Sequence, residues 1–165
     1  MFESPIKWNK LGRVIMPRVD LWWMQSHASH PTVKILDGSH IRVYVAGRDH
    51  LNRSHVGYVE FDVENPLEDQ YFSPEPAFSI GELGTFDDNG VMPLSVVDDG
   101  DQTLLYYCGW NPRATVRWTV FSGLATSNDG GKTFERYSRA PILDRTNDEP
   151  FLNGVTCVMH DNDVW

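Results

Sequence analysis

The chain has 165 residues, 41% of them hydrophobic and 12% aromatic, enough for a packed core and too apolar for a disordered segment. Its formal charge is -9, with 23 acidic against 14 basic residues, which argues against nucleic acid or an anionic membrane as the main partner. No apolar run reaches the roughly 18 residues of a membrane span, and Met1-Phe2-Glu3-Ser4-Pro5 lacks both the basic and the apolar part of a secretory leader. Cys108 and Cys157 have no metal-ligand spacing. The expectation is therefore a cytoplasmic protein with free thiols, no metal and no cofactor.

In chain order, residues 1–24 offer at most one strand, near Arg13 to Met16. No segment carries a clean helical period. Short runs rich in Val, Ile, Tyr, Phe and Thr alternate with Gly, Pro, Asn and Asp turns, the pattern of an all-β chain. The first unit predicts strands near 31–36, 41–47, 55–62 and 71–78, and the second near 91–97, 103–109, 117–127 and 133–138. The two units repeat at an offset of 62, which matches Pro31 with Pro93, Asp37 with Asp99, Gly38 with Gly100, Tyr44 with Tyr106 and Gly47 with Gly109. A third start runs from Gly154 to Trp165.

A period near 60 with four short strands per unit reads as propeller blades. The expected fold is all-β: a partial β-propeller of about two and a half four-stranded antiparallel blades. It forms one incomplete domain over 1–165, with blade 1 at about 25–80, blade 2 at about 85–140 and the start of blade 3 at about 148–165. Closed propellers take at least four blades. Val155, Cys157, Val164 and Trp165 would then lack covering strands, which predicts a homo-oligomer. Ser127-Asn128-Asp129-Gly130-Gly131-Lys132-Thr133-Phe134 resembles the Asp-box of sialidase-type propellers, a structural turn between third and fourth strands, with Phe134 as its aromatic.

Blade geometry sorts the loops by face. The start of the inner strand and the loop between strands two and three share one face, which collects 25–31, 48–53, 87–93, 110–117 and 145–152. These segments are rich in His, Asp, Glu, Arg, Asn and Trp. The opposite face collects plain turns. Within the richer face, Gly84 to Pro93 sets the adjacent carboxylates Asp87 and Asp88 on a glycine-rich turn before the run Val91 to Val97.

The runs Trp23-Met24-Gln25-Ser26-His27-Ala28, Ile41-Arg42-Val43-Tyr44 with Gly47-Arg48-Asp49, Phe86-Asp87-Asp88-Asn89-Gly90-Val91 and Gly109-Trp110-Asn111 resemble the five-bladed propeller glycosidases. That superfamily holds arabinanases, β-xylosidases, invertases and levansucrases. The nearest resemblance is to glycosidase-like proteins of bacterial surface-polysaccharide loci. It covers essentially the whole chain and about the first half of a full family domain. It implies three acidic residues at inner-strand starts: a base or nucleophile, a substrate-orienting carboxylate and a general acid. Asp88, with Asp87 as its rival, matches the second, and Glu149 in Asp148-Glu149-Pro150 matches the third. The first is a departure, because His30-Pro31 stands where the family has Asp, and Asp20 is the nearest acid before it.

As substrate contacts the same face offers His27, His30, Arg48, Asp49, Arg53, Trp110, Asn111 and Arg145. Each has a plainer role open to it. The histidines fit loop backbones, Arg48, Asp49 and Arg53 fit an ion-pair cluster, and Trp110 fits packing. Two functional readings stand together. One is a glycosidase-like enzyme that hydrolyses or binds a bacterial polysaccharide, a glycoside hydrolase if active. The other is a truncated, inactive glycan-binding or self-associating fragment.

Overall fold

The computed structural model describes residues 7–154, 157–160 and 164–165. Eight strands follow in chain order: β1 (Ser26–Asp37), β2 (His40–Arg48), β3 (Ser54–Asp62), β4 (Tyr71–Phe72), β5 (Gly90–Asp99), β6 (Gln102–Pro112), β7 (Trp118–Ser127) and β8 (Glu135–Arg136). There is no helix among the described residues, hence none long and apolar enough to cross a membrane. β1 to β4 form one antiparallel unit and β5 to β8 a second. The two meet through one parallel pair, Ser54 with Gly90. The fold is all-β, built from four-stranded antiparallel blades in the manner of a partial propeller.

The repeated Asp-Gly has a backbone cause. Asp37 pairs with His40 and Asp99 with Gln102, so each first hairpin turns on two residues. Gly38 (φ 43°) and Gly100 (φ 58°) hold the first turn position in the left-handed region, where glycine costs least. The fourth strands are shorter than predicted. Pro74 and Pro76 have no N–H to give to a ladder, so β4 ends at Phe72, and only the isolated Val56–Phe78 bridge resumes the pairing.

The expected strand at 13–16 does not form; Val14 and Ile15 instead pack against the core of the first blade. β1 begins earlier than predicted, at Ser26, and reaches Thr32 through two register shifts that put His27 (φ 67°) and His30 (φ 54°) in the left-handed region. In the third unit, the Val158 N–H donates to Ser95 Oγ of β5 at 2.9 Å. Cys157, Val164 and Trp165 are exposed, while Val155 lies outside the described residues.

Period-two alternation buries both faces of the first blade. Val43, Val45, Val59 and Phe61 face one core, which Trp23 and Met24 complete. Tyr44, Val56 and Tyr58 face a second core, shared with Val91, Leu105, Tyr107, Phe121 and Phe134 of the next blade. The turn Ser127 to Phe134 clasps the two blades. Its Asp129 carboxylate accepts from Ser127 Oγ (2.7 Å), Thr133 Oγ1 (2.7 Å) and the N–H groups of Lys132 (2.8 Å) and Thr133 (3.0 Å). Outward from the turn, the carbonyl oxygens of Gly130 and Gly131 accept from Arg42 Nη1 (2.9 Å) and Tyr44 OH (2.7 Å).

Several shifted groups make stability depend on pH, His55 and Asp129 among them. Burial is the largest influence on His55 and lowers its pKa below the ordinary 6.5, against the pull of Asp49. At Asp129 burial alone would raise the pKa, but the hydrogen bonds from Thr133, Ser127 and the backbone outweigh it and hold the carboxyl well below the usual range. Both groups bind protons more readily in the unfolded chain, so each contribution is present above the unfolded pKa and lost as pH falls. We expect the urea midpoint to be level between about pH 7 and 8, to decline below about 6.5 and to decline again below about 4. Asp129→Asn should lessen only the second decline, to which Asp49 and Asp98 also contribute; a midpoint constant from pH 7 to 3 would contradict this.

Candidate functional site: a cleft between the blades

Strand register builds one wall of a cleft. Gly90 and Val120 both pair with Trp110, and Trp118 pairs with Pro112. Residues two apart on a strand share a face, so Met92, Trp110, Pro112, Trp118 and Val120 project to the same side of the second blade. The first blade supplies the other wall through Arg48, Leu51 and Asn52, and Asn89 stands at the start of β5. The space between is about 460 Å³. Gly90 makes the approach possible, because a Cβ there would sit 2.0 Å from Trp110 Nε1.

The β2–β3 loop is held from inside by Asp49, which is 4% exposed. Its Oδ1 accepts from the N–H groups of Leu51 (2.9 Å) and Arg53 (2.8 Å), and its Oδ2 accepts from Arg53 Nε (2.8 Å) and lies 3.3 Å from His55 Nε2. His55 Nδ1 meets Ser79 Oγ at 2.7 Å. Asp49 and Arg53 therefore shape the loop that presents Arg48, Leu51 and Asn52, and Asn52 completes it at φ 63°.

The cleft carries positive charge on aromatic surfaces. Arg48 Nη1 donates to Asn52 Oδ1 (2.8 Å), and its guanidinium lies 5.6 Å from the Trp110 ring centroid. The Arg117 guanidinium lies 4.7 Å from the Trp118 ring, and Trp118 is 45% exposed. Among the described residues, no carboxylate is one of the lining side chains.

The other residues singled out from sequence lie elsewhere. Asn111 follows Trp110 by one position and so projects to the opposite face. It is buried there, accepting from Thr119 Oγ1 (2.6 Å) and donating to the Thr85 carbonyl (3.1 Å). Asp87 is buried and accepts from Thr85 Oγ1 (2.8 Å), Tyr107 OH (3.0 Å) and Arg136 Nε (2.8 Å). Asp88 caps its own turn, accepting from the Gly84 N–H at 2.8 Å. Glu149 is exposed and accepts from Asn153 Nδ2 at 2.9 Å.

His27 and His30 are exposed, each ring 3.0 Å from the hydroxyl of the serine before it. Arg145 lies over the Phe121 ring at 5.2 Å and donates to the Phe151 carbonyl at 3.2 Å. Asp88, Glu149, His27, His30 and Arg145 are not among the cleft's lining side chains. Sequence reasoning missed Leu51, Asn52, Asn89, Met92, Arg117 and Trp118 as lining groups, although the loops it sorted to this face contain or adjoin all of them. Carrying the strand alternation across the β6–β7 hairpin would have found Trp118.

No protein-family model matches the chain. It is 38% identical over 158 residues to Uncharacterized protein MT1551 and to Uncharacterized protein Rv1502, both of Mycobacterium tuberculosis. The match covers 96% of this chain and 52% of either relative, so the chain spans about half their length. Among solved structures it resembles a protein described as "Glycoside hydrolase", with a TM-score of 0.69 at 16% identity over 90% of this chain and 49% of that one. A glycosyl hydrolase from Bacteroides ovatus gives a TM-score of 0.61 at 17% identity, over 82% of this chain and 40% of that one. At such identities the likeness is one of fold: the chain has a glycosidase-like architecture.

Proposed function

We propose that the chain is a carbohydrate-binding part of a glycosidase-like propeller and that the cleft between its blades receives the sugar. The carrying observation is the pair of tryptophans, Trp110 and Trp118, on one wall, with the amides of Asn52 and Asn89 beside them. A sugar ring offers C–H groups to an aromatic face and hydroxyls to amides, which is what a mostly apolar pocket with a few placed polar groups recognises. The glycosidase-like fold supports this reading. Binding is favoured over hydrolysis because glycosidic cleavage takes two carboxyl groups at one bond, and the described residues that line the cleft include none. Asp88 and Glu149 remain the proposed acids of the hydrolytic reading, which Asp88 keeps open by directly preceding the lining residue Asn89.

The test is calorimetric titration of the chain with neutral and acidic oligosaccharides. Trp110→Ala should weaken binding about tenfold or more, the scale of one lost aromatic contact, and Trp118→Ala, at a position 45% exposed, should weaken it with thermal stability little changed. Binding that survives Trp110→Ala and Trp118→Ala unaltered would sink the assignment of the cleft. Turnover of an aryl glycoside that disappears in Glu149→Gln would restore the hydrolytic reading.

A further inference from the structure

We infer that the cleft is built for an acidic saccharide, a chain containing hexuronate units, rather than a neutral one. The inference rests on the carbohydrate reading above and names the class of sugar. The chain as a whole carries nine more negative than positive charges. Most of its buried or half-buried cations are matched with carboxylates: Arg42 with Glu60 (2.6 Å), Arg53 with Asp49 (2.8 Å), Arg136 with Asp87 (2.8 Å) and Lys34 with Asp98. Arg48, half-buried in the cleft wall of the first blade, departs from that rule, and the exposed Arg117 of the second blade lines the same cleft; neither makes an ion pair with a carboxylate among the described residues.

Two acids at this end of the blades are engaged elsewhere. Asp49, next to Arg48, is spent on Arg53 and His55, and Asp88 is bonded to the Gly84 N–H. What Arg48 has instead is a neutral acceptor, Asn52, and the face of Trp110. Arg117 has the face of Trp118. A guanidinium laid on an aromatic ring is stiffened while its N–H edge stays open, and that edge matches a carboxylate with two parallel hydrogen bonds. A hexuronate unit presents both parts at once: a pyranose face for the indole and a carboxylate at the ring's edge for the arginine. A neutral hexose would leave both guanidinium groups without a counter-charge.

The experiment titrates the chain with tetramers of galacturonate, mannuronate and glucuronate, with their neutral galactose, mannose and glucose counterparts, and with a sulfated galactan tetramer. At least one uronate tetramer should bind about tenfold or more tighter than its neutral counterpart, with an advantage that shrinks as salt rises. Arg48→Gln and Arg117→Gln should each remove most of that preference without lowering the melting temperature. Arg48→Lys, which keeps the charge and loses the fork, should recover only part of it.

Equal binding of neutral and acidic tetramers would overturn the inference and leave the carbohydrate reading standing, as would a preference that survives both glutamine variants. Binding confined to the sulfated tetramer would overturn the carboxylate. If no saccharide binds, both readings fall together.

Discussion

Arg136→Met is expected to destabilise the chain by about 3–5 kcal/mol, the cost of stripping one partner from a buried ion pair. The Asp87 side chain is fully buried, and Arg136 reaches it from β8 at 2.8 Å. Thr85 and Tyr107 supply two further hydrogen bonds, and these persist in the variant. The backbone closes on the carboxylate from two other sides. A Cβ added at Gly81 would stand 2.1 Å from Asp87 Oδ1, and one at Gly109 would stand 2.5 Å from its Cβ. Arg136 also bonds the Ser79 carbonyl and lies 4.4 Å from the Phe78 ring, so it ties the fourth strand of the second blade to the chain leaving the first. Against a total stability of about 5–15 kcal/mol, the loss is a large share. Replacing both residues, Asp87→Asn with Arg136→Met, should cost less than Arg136→Met alone, because no charge is then stranded. Urea unfolding of the three proteins decides the matter. A single-variant loss below about 1 kcal/mol, the scale of a surface pair, would show that the carboxylate is not held as described.

Trp23→Ala is expected to cost about 3–5 kcal/mol as well, by a different route. Trp23 is fully buried and its indole N–H donates to the Ser73 carbonyl at 3.1 Å. Its ring lies on Gly57 of β3, where an added Cβ would come within 2.3 Å of two ring atoms. Val45 pairs with Gly57, so the indole fills the gap that the glycine leaves between Val43, Val45, Val59 and Phe61. Truncation opens a cavity there and releases the segment before β1, whose Val14, Ile15 and Leu21 close the same core. The same contact predicts a non-additive pair. Gly57→Ala alone drives a methyl into the ring and destabilises, whereas in the Trp23→Ala background that methyl enters empty space and should cost much less. Equal costs of Gly57→Ala in the two backgrounds would remove the ring from this position.

The blades were legible because their signals are local. Strand alternation and the Asp-Gly turns at 37–38 and 99–100 are set by near neighbours in the chain. The two histidines in β1 were not legible as backbone features. Left-handed φ values inside a strand, with His30 directly before a proline, run against local preference and are held by the pairing of β1 with β2.

The site was half legible for a similar reason. Loop sorting grouped segments that together line the cleft, and Arg48 and Trp110 are among the lining residues. Which of two adjacent residues turns inward depends on register, so Trp110 was separated from Asn111 only by the β5–β6–β7 pairing. The carboxylates were hardest. Asp87 is claimed by Tyr107 and Arg136, 20 and 49 residues away, and nothing in the stretch Gly84 to Pro93 announces either partner.

The central claim is that a saccharide sits between the blades against Trp110 and Trp118. Six tryptophans give six indole N–H signals in a nitrogen-15 correlation spectrum. Titration with the tightest oligosaccharide found by calorimetry should move the Trp110 and Trp118 indole signals and the side-chain amides of Asn52 and Asn89. Trp23, buried behind the first blade, and Trp22, bonded to Glu75, should stay in place. Shifts at Trp22 or Trp165 with none at Trp110 and Trp118 would place the sugar elsewhere and contradict the account.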